Sequence, residues 1–258
     1  MSDSSQGPAE RHVIILKRLQ EHGYVTVSDL SERLGVSEVT IRKDLEKLEK
    51  RNLLYRTHGG ANLRNPYVLD RPLNEKVTLY AEEKNRIGQA AAQLVAERDY
   101  IILGSGTTMT QVARHLPEAP ELTVITSAMN VALEIAHLRG TETLMLGGTV
   151  RPSSKSVVGP YAEEMIEEYA CDKLFLGVDG FEIDYGLTTA NAAEARLNRA
   201  MIKASQRIII VTDSSKFGQR SFRRICTADA IHRVITDAAV KASIVEALEE
   251  QGIIVDVV

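Results

Sequence analysis

Ser37-Glu38-Val39-Thr40-Ile41-Arg42-Lys43-Asp44-Leu45 follows an amphipathic run and the turn residue Gly35, and it reads as the opening turns of an exposed helix. Ser37 is placed to accept hydrogen bonds from the free N–H groups of the first turn. Val36 and Leu45 are placed to face inward, which leaves Glu38, Thr40, Arg42 and Lys43 at the N-terminal end. In a recognition helix that end reaches base edges in the groove of duplex DNA.

The neighbouring sequence completes the motif. Upstream, Arg11 to Glu21 sets Val13, Ile14, Leu16 and Leu19 among charges, the pattern of an amphipathic helix stopped at Gly23. Thr26 is then the expected N-cap of a second helix, with Asp29 three residues on, Leu30 and Leu34 as its buried face, and Gly35 for the turn. Beyond Leu48, Leu53-Leu54-Tyr55-Arg56-Thr57-His58-Gly59-Gly60-Ala61 joins a short apolar run to a Gly-Gly turn. This predicts a small hairpin, a wing, carrying Arg56 and His58. Expected DNA contacts are Ser37, Glu38, Thr40, Arg42, Lys43, Lys47, Arg56 and His58.

The 258 residues exceed one average domain, and the formal net charge is −4. That charge argues against nonspecific coating of nucleic acid. Between Ser37 and Arg64, however, Arg42, Lys43, Lys47, Lys50, Arg51, Arg56 and Arg64 outnumber Glu38, Asp44, Glu46 and Glu49. An isolated run of this kind is an ordinary solvated helix face; the surrounding motif favours DNA. Aromatic platforms for single strands are missing, since Tyr24 and Tyr55 stand alone. Cys171 and Cys226 are far apart, without metal-ligand spacing, and read as buried small hydrophobes. No metal or cofactor is expected. The polar stretch from Met1 to Pro8 is expected to be disordered. No apolar run approaches the roughly twenty residues that span a bilayer, so a cytoplasmic protein without membrane contact is expected.

Asn62 to Thr78, with Pro66 and Pro72, shows no sustained period and reads as a linker. Beyond it a helical run from Glu82 to Glu97 is expected to bury Ile87, Ala90, Ala91, Leu94 and Val95. Short apolar strands then recur at residues 100–103, 123–126, 143–146, 174–178, 208–212 and 234–236, mostly alternating with helices. Nearly continuous apolar strands imply burial on both faces, hence a mainly parallel sheet between helix layers. The expected organisation is a DNA-binding domain over 1–61, a linker over 62–80 and an α/β domain over 81–258.

Ligands of such sheets bind where strands end. The first strand runs into Gly104-Ser105-Gly106-Thr107-Thr108, whose glycines, hydroxyls and following helix N-terminus suit a phosphate. Thr126 and Ser127 follow the second strand, Gly147, Gly148 and Arg151 the third, and Asp179 and Gly180 the fourth. Lys216 follows the fifth strand in Thr212-Asp213-Ser214-Ser215-Lys216. Donors, a carboxylate and lysine together suit a polyol phosphate. The bland alternative at each loop is turn chemistry, with Asp213 capping and Lys216 solvated.

The N-terminal segment resembles the DeoR family of bacterial transcriptional regulators through Arg11, Ile15, Leu19, Ser37, Thr40, Ile41, Arg42, Lys43, Asp44 and Leu45, followed by His58-Gly59-Gly60-Ala61. The C-terminal region is similar to the DeoR-type sensor domain, itself similar to ribose-5-phosphate isomerase and glucosamine-6-phosphate deaminase folds. This similarity is carried by Ser105 to Thr108, Leu146-Gly147-Gly148, Asp179-Gly180, Glu194-Ala195 and Asp213 to Lys216. It departs at Gly104, where family members commonly carry Asp. The stretches 174–179 and 194–199 look most like the amino-sugar and galactitol-type branch.

The resemblance implies a winged helix-turn-helix followed by a sugar-phosphate-sensing α/β domain. It further implies a repressor of carbohydrate catabolism, acting on double-stranded operator DNA as a homodimer or homotetramer. The expected effector site comprises Ser105, Gly106, Thr107, Thr108, Thr126, Ser127, Gly147, Gly148, Arg151, Asp179, Gly180, Glu194 and Lys216. The rival is a sugar-phosphate isomerase or deaminase fused to a DNA-binding domain, with Glu194 as base. Residues 182–193 lack the lysine and glycine cluster that such isomerases carry before that Glu, so no catalytic residue is assigned.

Overall fold

The computed structural model describes residues 7–51, 53–56, 59–62 and 72–258, which fall into two compact units, one within 1–66 and one within 67–258. The first contains α1 (Pro8–His22), β1 (Tyr24–Thr26), α2 (Val27–Leu34), α3 (Glu38–Glu49), β2 (Tyr55–Arg56) and β3 (Gly60–Asn62). Local chemistry sets the boundaries. Gly23 and Gly35 take left-handed conformations that end α1 and α2. Thr26 accepts from the Asp29 N–H at 3.2 Å and Ser37 from the Thr40 N–H at 3.3 Å, so both expected N-caps form.

Ile15, Leu19, Leu30, Ile41, Leu45, Leu48 and Leu54 close the core of this unit. The inward stripe of α1 runs through Arg11, Ile15 and Leu19. Val13, expected to be buried, is 66% exposed because it lies off that stripe. Leu34 and Val36 are half-buried at the margin. Pro8, expected in a disordered tail, opens α1. Buried Arg11 donates through Nε to Asp44 of α3 at 2.8 Å, and His12 Nε2 lies 3.1 Å from the other Asp44 oxygen, which ties α1 to α3. In the wing, β3 pairs antiparallel with both β2 and β1. A Cβ on Gly60 would fall 1.9 Å from the Val25 carbonyl oxygen, so only glycine fits there.

The second unit begins with α4 (Leu73–Val77) and α5 (Ala81–Ala92). The stretch expected to be a structureless linker therefore holds the end of β3 and the whole of α4. Then come β4 (Tyr100–Leu103), α6 (Thr107–His115), β5 (Leu122–Thr126), α7 (Met129–Ile135), β6 (Thr141–Met145), β7 (Thr149–Arg151), β8 (Ser156–Val158), α8 (Pro160–Glu167) and β9 (Cys171–Leu176). The chain ends with β10 (Gly180–Glu182), β11 (Gly186–Thr189), α9 (Ala192–Lys203), β12 (Ser205–Val211), β13 (Arg223–Cys226), β14 (Arg233–Thr236), α10 (Ala242–Glu250) and β15 (Ile254–Val257).

The main sheet has the order β15-β14-β12-β9-β4-β5-β6, with every pairing parallel. Alternate residues feed two cores. Ile101, Leu103 and Val124 pack with Ile87 of α5 and Val112 of α6, whereas Ile102 and Ile125 pack with Ile166 of α8 and Leu197 of α9. The expectation of strands buried on both faces holds for the central strands; β6 at one edge is only half-buried. Ala90 and Leu94, expected in the core, are half-buried, and Cys226 is half-buried rather than buried. Burial pushes the Cys171 and Cys226 thiols up to about 11 and about 12, which keeps both protonated and unreactive near neutrality.

From β4 the chain steps outward through β5 to β6, then returns to the other side of β4 with β9 and continues to β12. The strand order thus reverses between β4 and β9, and a crevice opens at their carboxyl ends. Antiparallel additions stand off the main sheet: β7 pairs with β8, and β11 lies between β10 and β13.

Candidate functional site

On the first unit the N-terminal end of α3 presents Ser37, Glu38, Arg42 and Lys43 to solvent, with Lys47 further along the helix. Thr40 is half-buried, its hydroxyl 3.0 Å from that of Ser37, so the pair serves the cap. Arg42 donates to Glu38 at 2.7 Å across one turn, and Lys50 to Glu46 at the same distance. Arg56 lies on β2, where Glu49 accepts its backbone N–H at 3.0 Å, coupling the wing to the end of α3. His58 lies outside the described residues. Val39, absent from the expected contacts, is 58% exposed beside Arg42 and Lys43. Its isolation from the core stripe of α3 was the available signal.

On the second unit the crevice at the strand-order reversal is a cleft open to solvent. It brings together Ser105, Gly106, Thr107, Thr108, Asp179, Glu194 and Lys216 from the expected set. Gly106 has φ +121 and precedes α6, so glycine releases the chain into a helix whose first N–H groups face the cleft end of β4. Asp213 caps the short 3-10 turn that carries Lys216, accepting from the Ser215 N–H at 3.2 Å, and itself lines the cleft.

The carboxylates are held firmly. Glu194 accepts from Ser105 Oγ at 3.0 Å through one oxygen, and from Arg151 Nη1 at 2.6 Å and Thr189 Oγ1 at 2.9 Å through the other. Asp179 Oδ2 accepts from the Ala190 N–H at 3.0 Å and lies 3.0 Å from the same Thr189 hydroxyl, while Lys76 Nζ reaches Oδ1 at 2.8 Å. Thr189 has one proton for two carboxylates, so it donates to one at a time. Burial works against the ionised Asp179, but Lys76 and the bonds from Ala190 and Thr189 outweigh it and hold its carboxyl below the usual carboxylate range.

Lys76 and Lys84 line the cleft although neither was expected there. Lys84 is 5% exposed and donates to the carbonyls of Lys76 at 2.8 Å and Leu79 at 2.5 Å. Burial pushes its ammonium down to about 8, with Asp213 opposing that shift and the neighbouring cations Lys216 and Lys76 adding to it. A signal for it existed: Lys84 falls on the helical stripe of Ile87, Gly88 and Ala91, where a lysine has no business with solvent.

Other expected residues lie outside the cleft lining. Thr126 Oγ1 accepts from the Ala128 N–H at 3.1 Å and the Ser127 carbonyl from the Val157 N–H at 2.8 Å, both outside the cleft lining. Gly147 and Gly148 are exposed; a Cβ on Gly148 would sit 2.7 Å from the Val158 carbonyl, and one on Gly180 2.4 Å from that of Gln219. Arg151 acts behind the lining, through Glu194. At Gly104 a Cβ would sit 3.0 Å from Leu176 Cδ1, so glycine leaves β4 close against β9 there.

Residues 11–66 match the DeoR-like helix-turn-helix domain family and residues 80–238 the DeoR C terminal sensor domain family. A putative aga operon transcriptional repressor from Escherichia coli O157:H7 is 39% identical over 96% of this chain and 93% of its own. The glycerol-3-phosphate regulon repressor of Escherichia coli strain K12 is 30% identical over 95% of this chain and 96% of its own. Among solved structures, the full-length sorbitol operon regulator SorC from Klebsiella pneumoniae aligns over 100% of this chain and 97% of its own, at 13% identity and a TM-score of 0.42.

Proposed function

Because the chain belongs to the DeoR family of transcriptional regulators, we propose that it represses a carbohydrate-catabolism operon under the control of a phosphorylated sugar or amino-sugar phosphate. Duplex operator DNA is gripped by α3 and the wing, and the effector occupies the cleft of the second unit. The observation that carries the effector reading is convergence: a glycine-hydroxyl turn at a helix N-terminus shares one cleft with Lys84, Lys216 and two fixed carboxylates. Anion-binding groups and hydroxyl-binding carboxylates in one cleft match the two kinds of group that a sugar phosphate carries. The relatives matched along their length are regulators, and the chain is a regulator rather than an enzyme. Glu194 agrees with this: a carboxylate engaged by an arginine and two hydroxyls positions a ligand and is poorly placed to take a proton from carbon.

One winged helix grips little DNA, so two heads on repeated or palindromic half-sites, in a homodimer or homotetramer, supply the affinity. The test pairs DNA selected by the full chain from a randomised library with a thermal-shift panel of sugar phosphates and their parent sugars. A sugar phosphate should raise the melting temperature and change operator affinity, and Lys216→Ala should abolish that response while retaining operator binding in its absence. A parent sugar that binds as tightly as its phosphate would overturn the anion site, and failure to enrich any DNA would overturn the regulator's target.

A further inference from the structure

Residues 73–84, the segment that follows the DNA-binding unit in sequence, contribute to the cleft lining. Leu73, Lys76, Leu79, Tyr80 and Lys84 all line the cleft. Two contacts hold the segment there and a third braces it internally. The Leu73 N–H donates to the Ser153 carbonyl at 2.7 Å, Lys76 reaches Asp179 at 2.8 Å, and the buried Lys84 ammonium holds the carbonyls of Lys76 and Leu79. Between them Tyr80 takes a left-handed conformation with φ +53, which a side chain adopts only when its surroundings hold it there.

These tethers differ in kind. The Lys84 bonds lie within the segment, and the Ser153 contact joins backbone to backbone. Only the Lys76 contact uses an atom that a ligand hydroxyl would also seek. Asp179 Oδ2 is satisfied by Ala190 and Thr189, while Oδ1 has Lys76 as its partner. A polyol hydroxyl that takes the Lys76 position on that oxygen frees the ammonium to meet the ligand's phosphate, which compensates the lost ion pair.

We propose that residues 73–84 form a strap, that effector hydroxyls displace Lys76 from Asp179, and that the strap's release transmits occupancy toward the DNA-binding unit. This rests on the reading of the cleft as a sugar-phosphate site. The coupling requires no rearrangement of the main sheet, because the sensing contact and the connecting segment share residues.

Hydrogen exchange on the full chain tests it, with glycerol 3-phosphate, fructose 6-phosphate and glucosamine 6-phosphate as probes and inorganic phosphate as the control without a polyol. A probe that binds by calorimetry should speed exchange in peptides covering residues 72–84 by about threefold or more, and inorganic phosphate should leave it unchanged. Without any probe, Lys76→Met and Asp179→Asn should each show the fast exchange of the liganded protein, and Lys76→Arg should restore slow exchange. In Lys76→Met the probe's effect on operator affinity should shrink to within about twofold of none. Unchanged exchange in a wild-type chain that binds a probe overturns the strap, as does Lys76→Met exchanging like the unliganded wild type. Inorganic phosphate acting as strongly as a sugar phosphate overturns the competition for Asp179. If no probe binds, the sugar-phosphate reading falls and the displacement with it, while the Lys76→Met result still decides whether that lysine is the tether.

Discussion

Arg42 enters binding already engaged, since Glu38 accepts from it at 2.7 Å across one exposed turn. Such a pair stabilises the free helix little, so Arg42 can be released at small cost to a guanine edge or a phosphate. Arg42→Ala should weaken operator binding by roughly 1–3 kcal/mol if it reads a base, and Lys43→Ala should lower the salt slope by about one unit if it pairs a phosphate. Gel shifts with neither change would remove these residues from the interface. If Val39 meets a thymine methyl, replacing thymine by uracil in the selected operator should weaken the wild type more than Val39→Ala. Lys84 makes a pH prediction. Its ammonium sits near 8 in the folded chain against 10.5 when unperturbed, so between those values the unfolded chain holds the proton more tightly and stability rises with pH. A bound dianion favours the charged lysine, so effector affinity should be full below pH 8 and fall as pH rises through it. Calorimetry between about pH 7 and 9.5, where a phosphate monoester stays dianionic, checks this; a flat profile would separate Lys84 from the anion.

Among the elements, those set by near neighbours were legible. Gly23, Thr26, Gly35 and Ser37 bound their helices as their chemistry dictates, and the buried stripes lie within sixty residues. The wing depends on one close approach: Gly60→Ala should cost roughly 2–3 kcal/mol in the first unit and abolish operator binding, because β3 cannot approach Val25 with a methyl between them. Denaturation followed by a probe in each unit should show the second transition unmoved. Short strands outside the main sheet escaped the pattern. The strands β7, β8, β10, β11 and β13 are too short to show a period, yet β7 carries Arg151 and β11 carries Thr189, which orient Glu194. The strap escaped for another reason. Pro72 and mixed polarity look like a linker, and what fixes α4 is Asp179, 103 residues from Lys76.

For the whole molecule, the parallel sheet was legible from its apolar strands, but its strand order was not, because nothing local in β4 says that β9 will lie beside it. That order gathers the cleft from residues as distant as Leu73 and Lys216. Pairing two heads predicts that sedimentation will show a dimer or tetramer at the concentrations where operator binding saturates; a monomer there would demand a different account of affinity. The strand order also bears on synthesis. The core of the first unit is complete once Ala61 has left the ribosome, whereas the cleft waits for Lys216. A chain stopped between those points would carry the folded head and lack the cleft. Truncated chains of that length should therefore keep the fold of the first unit while failing to bind any sugar phosphate, and circular dichroism beside calorimetry would show both.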